Sequence, residues 1–189
     1  MPIGPGGLDS NGIWQFGEDD SEALASDLLN LGMGSVSTAI STLGGVLQVV
    51  STTKTNAFTT TSTSMVDVTG LTVTITPASA SNKILVMANF VTSNSSTAGN
   101  LFNLVRESTA IGVGTGATNN ATVIHYEGVS APSAISPINT SFLDSPSSIS
   151  ATTYKLQMAV AGHTGFVGRR ATDTLWASSS TITVMEVSG

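Results

Sequence analysis

Few residues of this chain could carry out acid–base or nucleophilic chemistry. Its two histidines, His125 and His163, lie in different segments, without an H-x-x-x-H pair or a nearby carboxylate cluster that would hold a metal ion. The stretch STTK at 51–54 fits the S-x-x-K pattern of serine acylases, but the companion S-D-N and K-T-G motifs are missing. We interpret both histidines as structural, and the S-x-x-K match as chance in a chain where 54 of 189 residues are Ser or Thr.

Other patterns that could bind a ligand or a metal are equally incomplete. The glycine-rich stretch 112–120 lacks the lysine and the following helix of a phosphate-binding loop, and the acids at 18–22 lack the spacing and the glycine of an EF-hand. A carboxylate pair set for glycoside hydrolysis stays open, although no motif favours one, among six acids: Asp67, Glu107, Glu127, Asp144, Asp173 and Glu186. The sequence therefore predicts no enzyme, no cofactor and no metal site.

Charge and composition limit the kinds of molecule that this chain is expected to bind. Six of the twelve acids lie in residues 1–53, which contain no Lys or Arg, and the remaining residues hold six acids and six bases. The chain has one pair of adjacent basic residues, Arg169-Arg170, which we interpret as a solvated surface pair. An acidic chain without a basic patch is not expected to bind nucleic acid. The N-terminus lacks the parts of a signal peptide, no apolar run could span a bilayer, and there is no cysteine. We expect a protein made in a cytoplasm, without nucleic-acid binding or membrane insertion.

The first 45 residues differ in pattern from the rest. Residues 1–12 are rich in Pro and Gly and are expected to lack regular structure. A helix N-cap at 19–21 and leucines at helical spacing predict one short helix that ends at Gly32, and a second is predicted over 35–43.

From Val46 onward, apolar and threonine-rich runs alternate with turns rich in Ser, Asn, Gly and Pro. The stretch 71–76 alternates strictly, as a half-buried strand does, and 83–91 is apolar on both faces, which is typical of a central strand. The predicted strands are 46–51, 71–76, 83–91, 101–107, 110–114, 122–127, 138–144, 153–160 and 180–187. About ten strands without a helix signal predict an all-β antiparallel sandwich or jelly roll over 46–189.

Two parts of the chain resemble proteins of tailed bacteriophages. VDVTGLTVTITP (66–77), SASNKILV (79–86), FLDSP with TTYK (142–155) and the closing TITVMEV are together similar to a domain common in marine and cyanobacterial phages. The opening NGIWQFGEDDSEALASDLLNLG (11–32) is similar to N-terminal segments of tail-fibre and minor-tail or minor-capsid proteins. The resemblance implies a tumour-necrosis-factor-like jelly roll that forms homotrimers through one apolar face, preceded by an arm.

The resemblance also implies a role for each part. Residues 1–45 are expected to dock on another virion protein through apolar anchors and an acidic rim: Trp14, Phe16, Glu18, Asp19, Asp20, Leu24, Leu28 and Leu29. The alternative, that Trp14 and Phe16 fold back as a lid on the chain's own jelly roll, stays open. The trimer or core face is expected at Ile84, Val86, Phe90, Tyr154, Leu156 and Met158. The loop that carries Trp176 is the candidate for contact with a receptor.

Two functions follow from this interpretation. The first is a trimeric virion appendage, anchored to capsid or tail by its arm, whose jelly roll binds a glycan or protein of the host surface. The second is a cement or decoration protein that stabilises the capsid shell. An enzyme acting on surface glycans has no motif to support it, and a secreted lectin or cytokine-like ligand conflicts with the missing signal peptide.

Overall fold

The structure is a computed structural model. It describes residues 45–115, 123–128, 130–132 and 134–189, together with the backbone of 7–8 and 14–15. The chain divides into two compact units, Met1–Gly44 and Gly45–Gly189, and each is described by itself.

In the first unit, the described residues form an antiparallel pair of two-residue strands, β1 (Gly7–Leu8) and β2 (Trp14–Gln15). The expectation that residues 1–12 lack regular structure is therefore wrong at Gly7–Leu8. The reason is that a Pro/Gly-rich composition is only a correlate of coil and does not prevent Gly7 and Leu8 from pairing with Gln15 and Trp14. The two helices predicted before residue 45 lie outside the described residues.

The described residues of the second unit form eleven strands in two antiparallel sheets. Their bounds are β3 (Val46–Lys54), β4 (Phe58–Thr60), β5 (Val66–Ile75), β6 (Lys83–Asn94), β7 (Gly99–Arg106), β8 (Thr109–Ile111), β9 (His125–Gly128), β10 (Ser136–Asp144), β11 (Thr152–Val160), β12 (Gly165–Val167) and β13 (Ser180–Val187). The strands β4 and β12 were not predicted, because three residues are too few to show a period. The strand β7 ends one residue early, since Glu107 turns the chain with a φ of 53°.

The sheet order is that of a jelly roll. In the six-stranded sheet, β10 and β13 pair with opposite edges of β6, β3 pairs with β13, and β12 and β4 continue beside the end of β6. In the five-stranded sheet the order is β5–β11–β7, with β8 and β9 on the far edge of β7. The eight principal strands can be numbered 1 to 8 in chain order: β3, β5, β6, β7, β9, β10, β11 and β13. In this numbering the strand order is 1–8–3–6 in one sheet and 2–7–4–5 in the other, which is the order of a double Greek key. The predicted all-β antiparallel sandwich is confirmed.

Alternating residues of both sheets fill the space between them. Leu71, Val73 and Ile75 of β5 point into the core, while the threonines between them are exposed. Phe90 of β6 packs on Phe102 of β7, with ring centroids 4.7 Å apart. These contacts join the two sheets into one hydrophobic core.

The two ends of the sandwich are formed by different segments. We call the end at which Gly45 leads into β3 the proximal end; it also holds the start of β6 and the end of β13, where Ser188 N donates to Gly45 O at 3.1 Å. We call the opposite end, at Thr92–Asn94 of β6 and the loop 168–179, the distal end. The nine residue steps of β6 from Lys83 to Thr92 separate the two ends by roughly 30 Å.

Candidate functional site

The residues considered for catalysis are held in separate local contacts. Ser51 lies on the outside of β3, where its Oγ is 2.8 Å from Thr183 Oγ1, whereas Lys54 is buried and donates to Asn56 Oδ1 at 2.7 Å. The S-x-x-K residues therefore do not face each other. His125 Nε2 is 3.4 Å from Glu127 Oε2.

The six carboxylates of the second unit each have their own partners. Asp67 accepts from Lys155 Nζ at 2.8 Å and from Gln157 Nε2 at 2.7 Å, and these hydrogen bonds, the lysine's first, lower its pKa. Glu107 Oε1 accepts from Thr153 N at 2.5 Å. Within the described residues, no group of three His, Asp or Glu side chains is placed to hold a metal ion.

Glu186 is a buried carboxylate at the proximal end that is held by neutral donors. Asn82 Nδ2 donates to its Oε1 at 2.5 Å, Gln48 Nε2 to its Oε2 at 2.6 Å, and Ala78 N to its Oε1 at 2.7 Å. Burial acts to raise the pKa of Glu186, but these hydrogen bonds outweigh it and leave the pKa below its ordinary value. The arrangement satisfies both carboxylate oxygens, and its role is to tie β13 to the loop before β6.

A second buried group joins the two sheets near the same end. Tyr154 of β11 donates its hydroxyl to Asp144 Oδ2 at 2.7 Å, and Arg106 NH1 of β7 donates to both oxygens of Asp144 at 2.8 Å. Burial and then the hydrogen bond to Asp144 raise the pKa of Tyr154 far above its ordinary value. The phenol stays neutral and serves as a structural donor.

The residues predicted as the trimer or core face lie between the sheets. None of the six is more than 4% exposed: Ile84, Val86, Phe90, Tyr154, Leu156 and Met158. In the folded sandwich they belong to the hydrophobic core and are out of reach of a second copy. The apolar residues that a partner could reach are their neighbours on the other face of the six-stranded sheet.

That outer face carries a row of apolar side chains that crosses four strands. The register places Val49 of β3 opposite Met185 of β13, Met185 opposite Leu85 of β6, and Leu85 opposite Leu143 of β10. Val49 is 53% exposed and Leu143 is 49% exposed, although both are strand residues of a sheet. We call these four residues the apolar row; it spans roughly 15 Å across the sheet.

The surroundings of the apolar row are uncharged over most of the face. Ser51, Thr183, Met87 and Ser141 form the next row toward the distal end. Lys83, at the proximal edge, is the one charged residue among the outward-facing positions of β3, β6, β10 and β13. Exposed apolar area of this kind, without charge, is typical of a surface that contacts another protein.

The predicted receptor residue, Trp176, lies at the distal end in the loop 168–179. The base of this loop is closed by a backbone bridge between Arg169 and Ala177, and Gly168 N donates to Val91 O at 2.9 Å. Gly168 has a φ of 83°, and a Cβ there would lie 3.2 Å from Ser178 O, so the tight base requires glycine.

The tip of the same loop is held by an ion pair. Asp173 accepts from Arg170 Nε at 3.2 Å and from Leu175 N at 3.0 Å, and the hydrogen bond to Arg170 is the largest of the effects that lower the pKa of Asp173. Beyond it, Trp176 is 60% exposed and Leu175 is 80% exposed, with the Arg170 guanidinium carbon 6.0 Å from the centroid of the Trp176 ring. The loop thus presents a large apolar surface in a defined conformation.

Arg169 differs from its neighbour Arg170. Its guanidinium carbon lies 4.4 Å from the centroid of the Phe166 ring, and its Nε is buried without a hydrogen-bond partner. The interpretation of Arg169-Arg170 as a solvated pair is therefore wrong for Arg169, because the loop turns its side chain against Phe166. Arg169 and Trp176 line one cavity of about 150 Å³, together with Val91, Ile135, Ala177 and Ser178.

The predicted docking residues of the arm are only partly within the described chain. The backbone of Trp14 lies in β2, paired with Leu8. The others, Phe16, Glu18, Asp19, Asp20, Leu24, Leu28 and Leu29, lie outside the described residues. Over the described part of the chain, no helix has the length and hydropathy to span a bilayer.

Comparison with known proteins finds no match in sequence and only distant similarity among solved structures. No protein family and no curated protein matches it in sequence. Similar solved structures include a mutant VP2 protein of infectious bursal disease virus in derived T=1 particles, with a TM-score of 0.38, 9% identity, and coverage of 74% of this chain and 36% of that chain. A second structure of such particles gives a TM-score of 0.36 at 8% identity, covering 74% and 37%. The Gx strain of the virus gives 0.35 at 11% identity, covering 76% and 41%. This chain thus spans about two fifths or less of the length of these three.

Sequence reasoning missed two surfaces. It assigned both faces of 83–91 to the interior, although the alternation of Leu85 and Met87 with Ile84 and Val86 could have indicated a second, external apolar face. It also treated both arginines alike, although Asp173 stands three residues after Arg170 and offers that arginine a partner.

Proposed function

We propose that this protein is a structural component of a phage virion, a homotrimeric appendage whose arm attaches to capsid or tail and whose jelly roll is displayed to the host surface. The observation that carries the proposal is the division between the two ends of the sandwich. The chain joins the sandwich at the proximal end through Gly45, and the exposed Trp176 loop stands at the distal end. This arrangement suits a protein that is held at one end and makes contact at the other.

The outer face of the six-stranded sheet supports self-association. The apolar row crosses four strands, and a neighbouring copy would remove it from water. Residues 45–189 hold six acids and six bases, so that the sandwich itself carries no net charge to oppose contact between identical sandwiches; the chain's net charge of −6 lies in residues 1–53. The number three comes from the resemblance to the phage domain, and the row supplies a surface for the contact.

The same features also fit the alternative, a cement protein of the capsid shell. In that case the apolar row would cover a capsid subunit and not a second copy. Cryo-microscopy of particles separates the two functions, since density distributed over the shell lattice indicates cement and density at a tail tip or a vertex indicates an appendage.

The arm is tested by the variant Trp14→Ala. If the arm docks on a virion protein, the variant remains folded and trimeric but is absent from purified particles, because loss of a buried tryptophan anchor removes much of the binding free energy. If Trp14 instead covers the chain's own jelly roll, the variant has a lowered melting temperature. Glu107→Gln, on the turn between β7 and β8 of the sandwich, is the control and is expected to enter particles normally. Normal incorporation of Trp14→Ala would contradict docking through the arm.

A further inference from the structure

The distal cavity is lined by an arginine that has no acidic partner among the described residues and by an exposed aromatic ring. Arg169 Nε is buried and has no hydrogen-bond partner, and no carboxylate of the described residues lies within 4.0 Å of its guanidinium. The buried Nε–H is closed to a ligand, so an acidic ligand would bind the terminal nitrogens of the guanidinium, for which the described residues supply no carboxylate. Charge-assisted hydrogen bonds of that kind are strong.

The guanidinium of Arg169 is held in place before any ligand arrives. Its carbon packs 4.4 Å from the centroid of the Phe166 ring. The backbone of the same residue is fixed by the hydrogen bond from Ser93 Oγ to its main-chain oxygen at 2.8 Å. Side chains held this way lose little conformational freedom on binding. Arg170, by contrast, is already paired with Asp173. Arg170 therefore shapes the loop, whereas Arg169 lines the cavity.

The remaining walls of the cavity indicate the rest of the ligand. Val91, Ile135 and Ala177 are apolar, the Ser178 hydroxyl already donates to Ser179 O at 3.2 Å, and the volume of about 150 Å³ suits one small group. The Trp176 ring, 60% exposed, stands beside it. The negative face of an aromatic ring attracts the C–H groups of a sugar, and a guanidinium prefers a carboxylate.

We propose that the distal cavity binds a carboxylate-bearing sugar, with the carboxylate on Arg169 and the sugar ring on Trp176. A phosphate fits less well, because these walls offer few other donors. This proposal names the ligand class for the host-surface contact proposed above, and its biological role rests on that proposed function. Three copies in one appendage would give three such sites, so that weak binding at each site adds up to firm attachment.

The test uses the full chain and saturation-transfer NMR titration with methyl β-glucuronide and N-acetylneuraminic acid. Methyl β-glucoside, which lacks the carboxylate, is the matched neutral sugar. We expect at least one acidic sugar to bind about tenfold or more tightly than the glucoside. Arg169→Gln and Trp176→Ala are each expected to weaken binding of the acidic sugar about tenfold or more, and Arg169→Lys is expected to retain part of it, since lysine keeps the charge without the planar fork.

The control variant is Lys155→Gln, which removes an equal charge from the outer face of the five-stranded sheet and is expected to leave the affinity unchanged. Equal binding of acidic and neutral sugars, or an Arg169→Gln variant with unchanged affinity, would overturn the proposal. Arg169-dependent binding of an acidic peptide such as acetyl-Asp-Glu-amide, without binding of either acidic sugar, would assign the cavity to a protein partner and also overturn it. Because particle incorporation and oligomeric state are measured separately, failure of the sugar site is distinguishable from failure of the virion role.

Discussion

The two outer faces of the sandwich come from strands with the same alternation and yet present opposite surfaces. On the five-stranded sheet, the outward positions of β5 are threonines, and Asp67 is bound there by Lys155 and Gln157. On the six-stranded sheet, the outward positions include the apolar row of Val49, Met185, Leu85 and Leu143. The first face is suited to water and the second to a protein partner.

The difference between the two faces bears on how the apolar residues on both sides of β6 are interpreted. A strand buried on both faces is typical when other elements cover the sheet on each side. In this sandwich β6 pairs at both edges and packs one face on the core, while Leu85 and Met87 are only partly covered on the other face. This partly covered side of β6 is the surface on which the self-association proposed above rests.

The largest expected effect comes from placing a charge in the apolar row. Leu85→Asp puts a carboxylate at its centre, where a partner would have to bury it unpaired. We expect self-association to weaken about a thousandfold or more, measured by sedimentation equilibrium, with the circular dichroism spectrum of a folded sandwich retained.

Thr72→Asp is the matched control, because Thr72 is an exposed strand residue on the other outer face. It is expected to leave the oligomeric state unchanged. Dissociation by Thr72→Asp but not by Leu85→Asp would reverse the assignment of the two faces.

An intermediate effect, on stability, is expected from a substitution at Glu186, the charged residue of β13. Its neighbours Met185 and Val187 point outward, whereas Glu186 points inward and is satisfied by Asn82, Gln48 and the Ala78 amide. Glu186→Gln turns one oxygen into an NH2 group that faces a donor. We expect the free energy of unfolding at pH 7 to fall by about 2–3 kcal/mol, measured by urea unfolding.

The pH dependence of the same variant follows from the lowered pKa of Glu186. Because the pKa is lower in the folded state than in the unfolded chain, the stabilisation is complete above the ordinary value of 4.5 and is lost as the pH falls through the folded value. The wild type should therefore lose its advantage over Glu186→Gln below pH 4.5. A difference in stability that persists unchanged to pH 2 would contradict the role of the ionised carboxylate.

The sequence predicts the long strands well and the surfaces poorly, for physical reasons. Strict alternation, as in 71–76, reports directly which side chains face the core. In β6 both sets of alternating residues are apolar, and nothing local tells which set faces a partner. The distal cavity draws Val91, Ile135, Arg169 and Trp176 from separate segments, which only the crossing of β6, β10 and the loop 168–179 brings together. The small strands β4 and β12 likewise depend on a distant partner, because β12 pairs with the end of β6 and β4 pairs with β12.

The smallest expected effect is on the solvated face. Asp67→Asn removes the ion pair with Lys155, in which the Asp67 side chain is 49% exposed. An exposed pair contributes only about 0–1 kcal/mol, and salt screens it. We expect a loss of stability within that range in 50 mM NaCl and none in 1 M NaCl, measured by urea unfolding. A larger loss that salt does not reduce would mean that this face is also covered in the assembled protein, and the contrast between the two outer faces would then not hold.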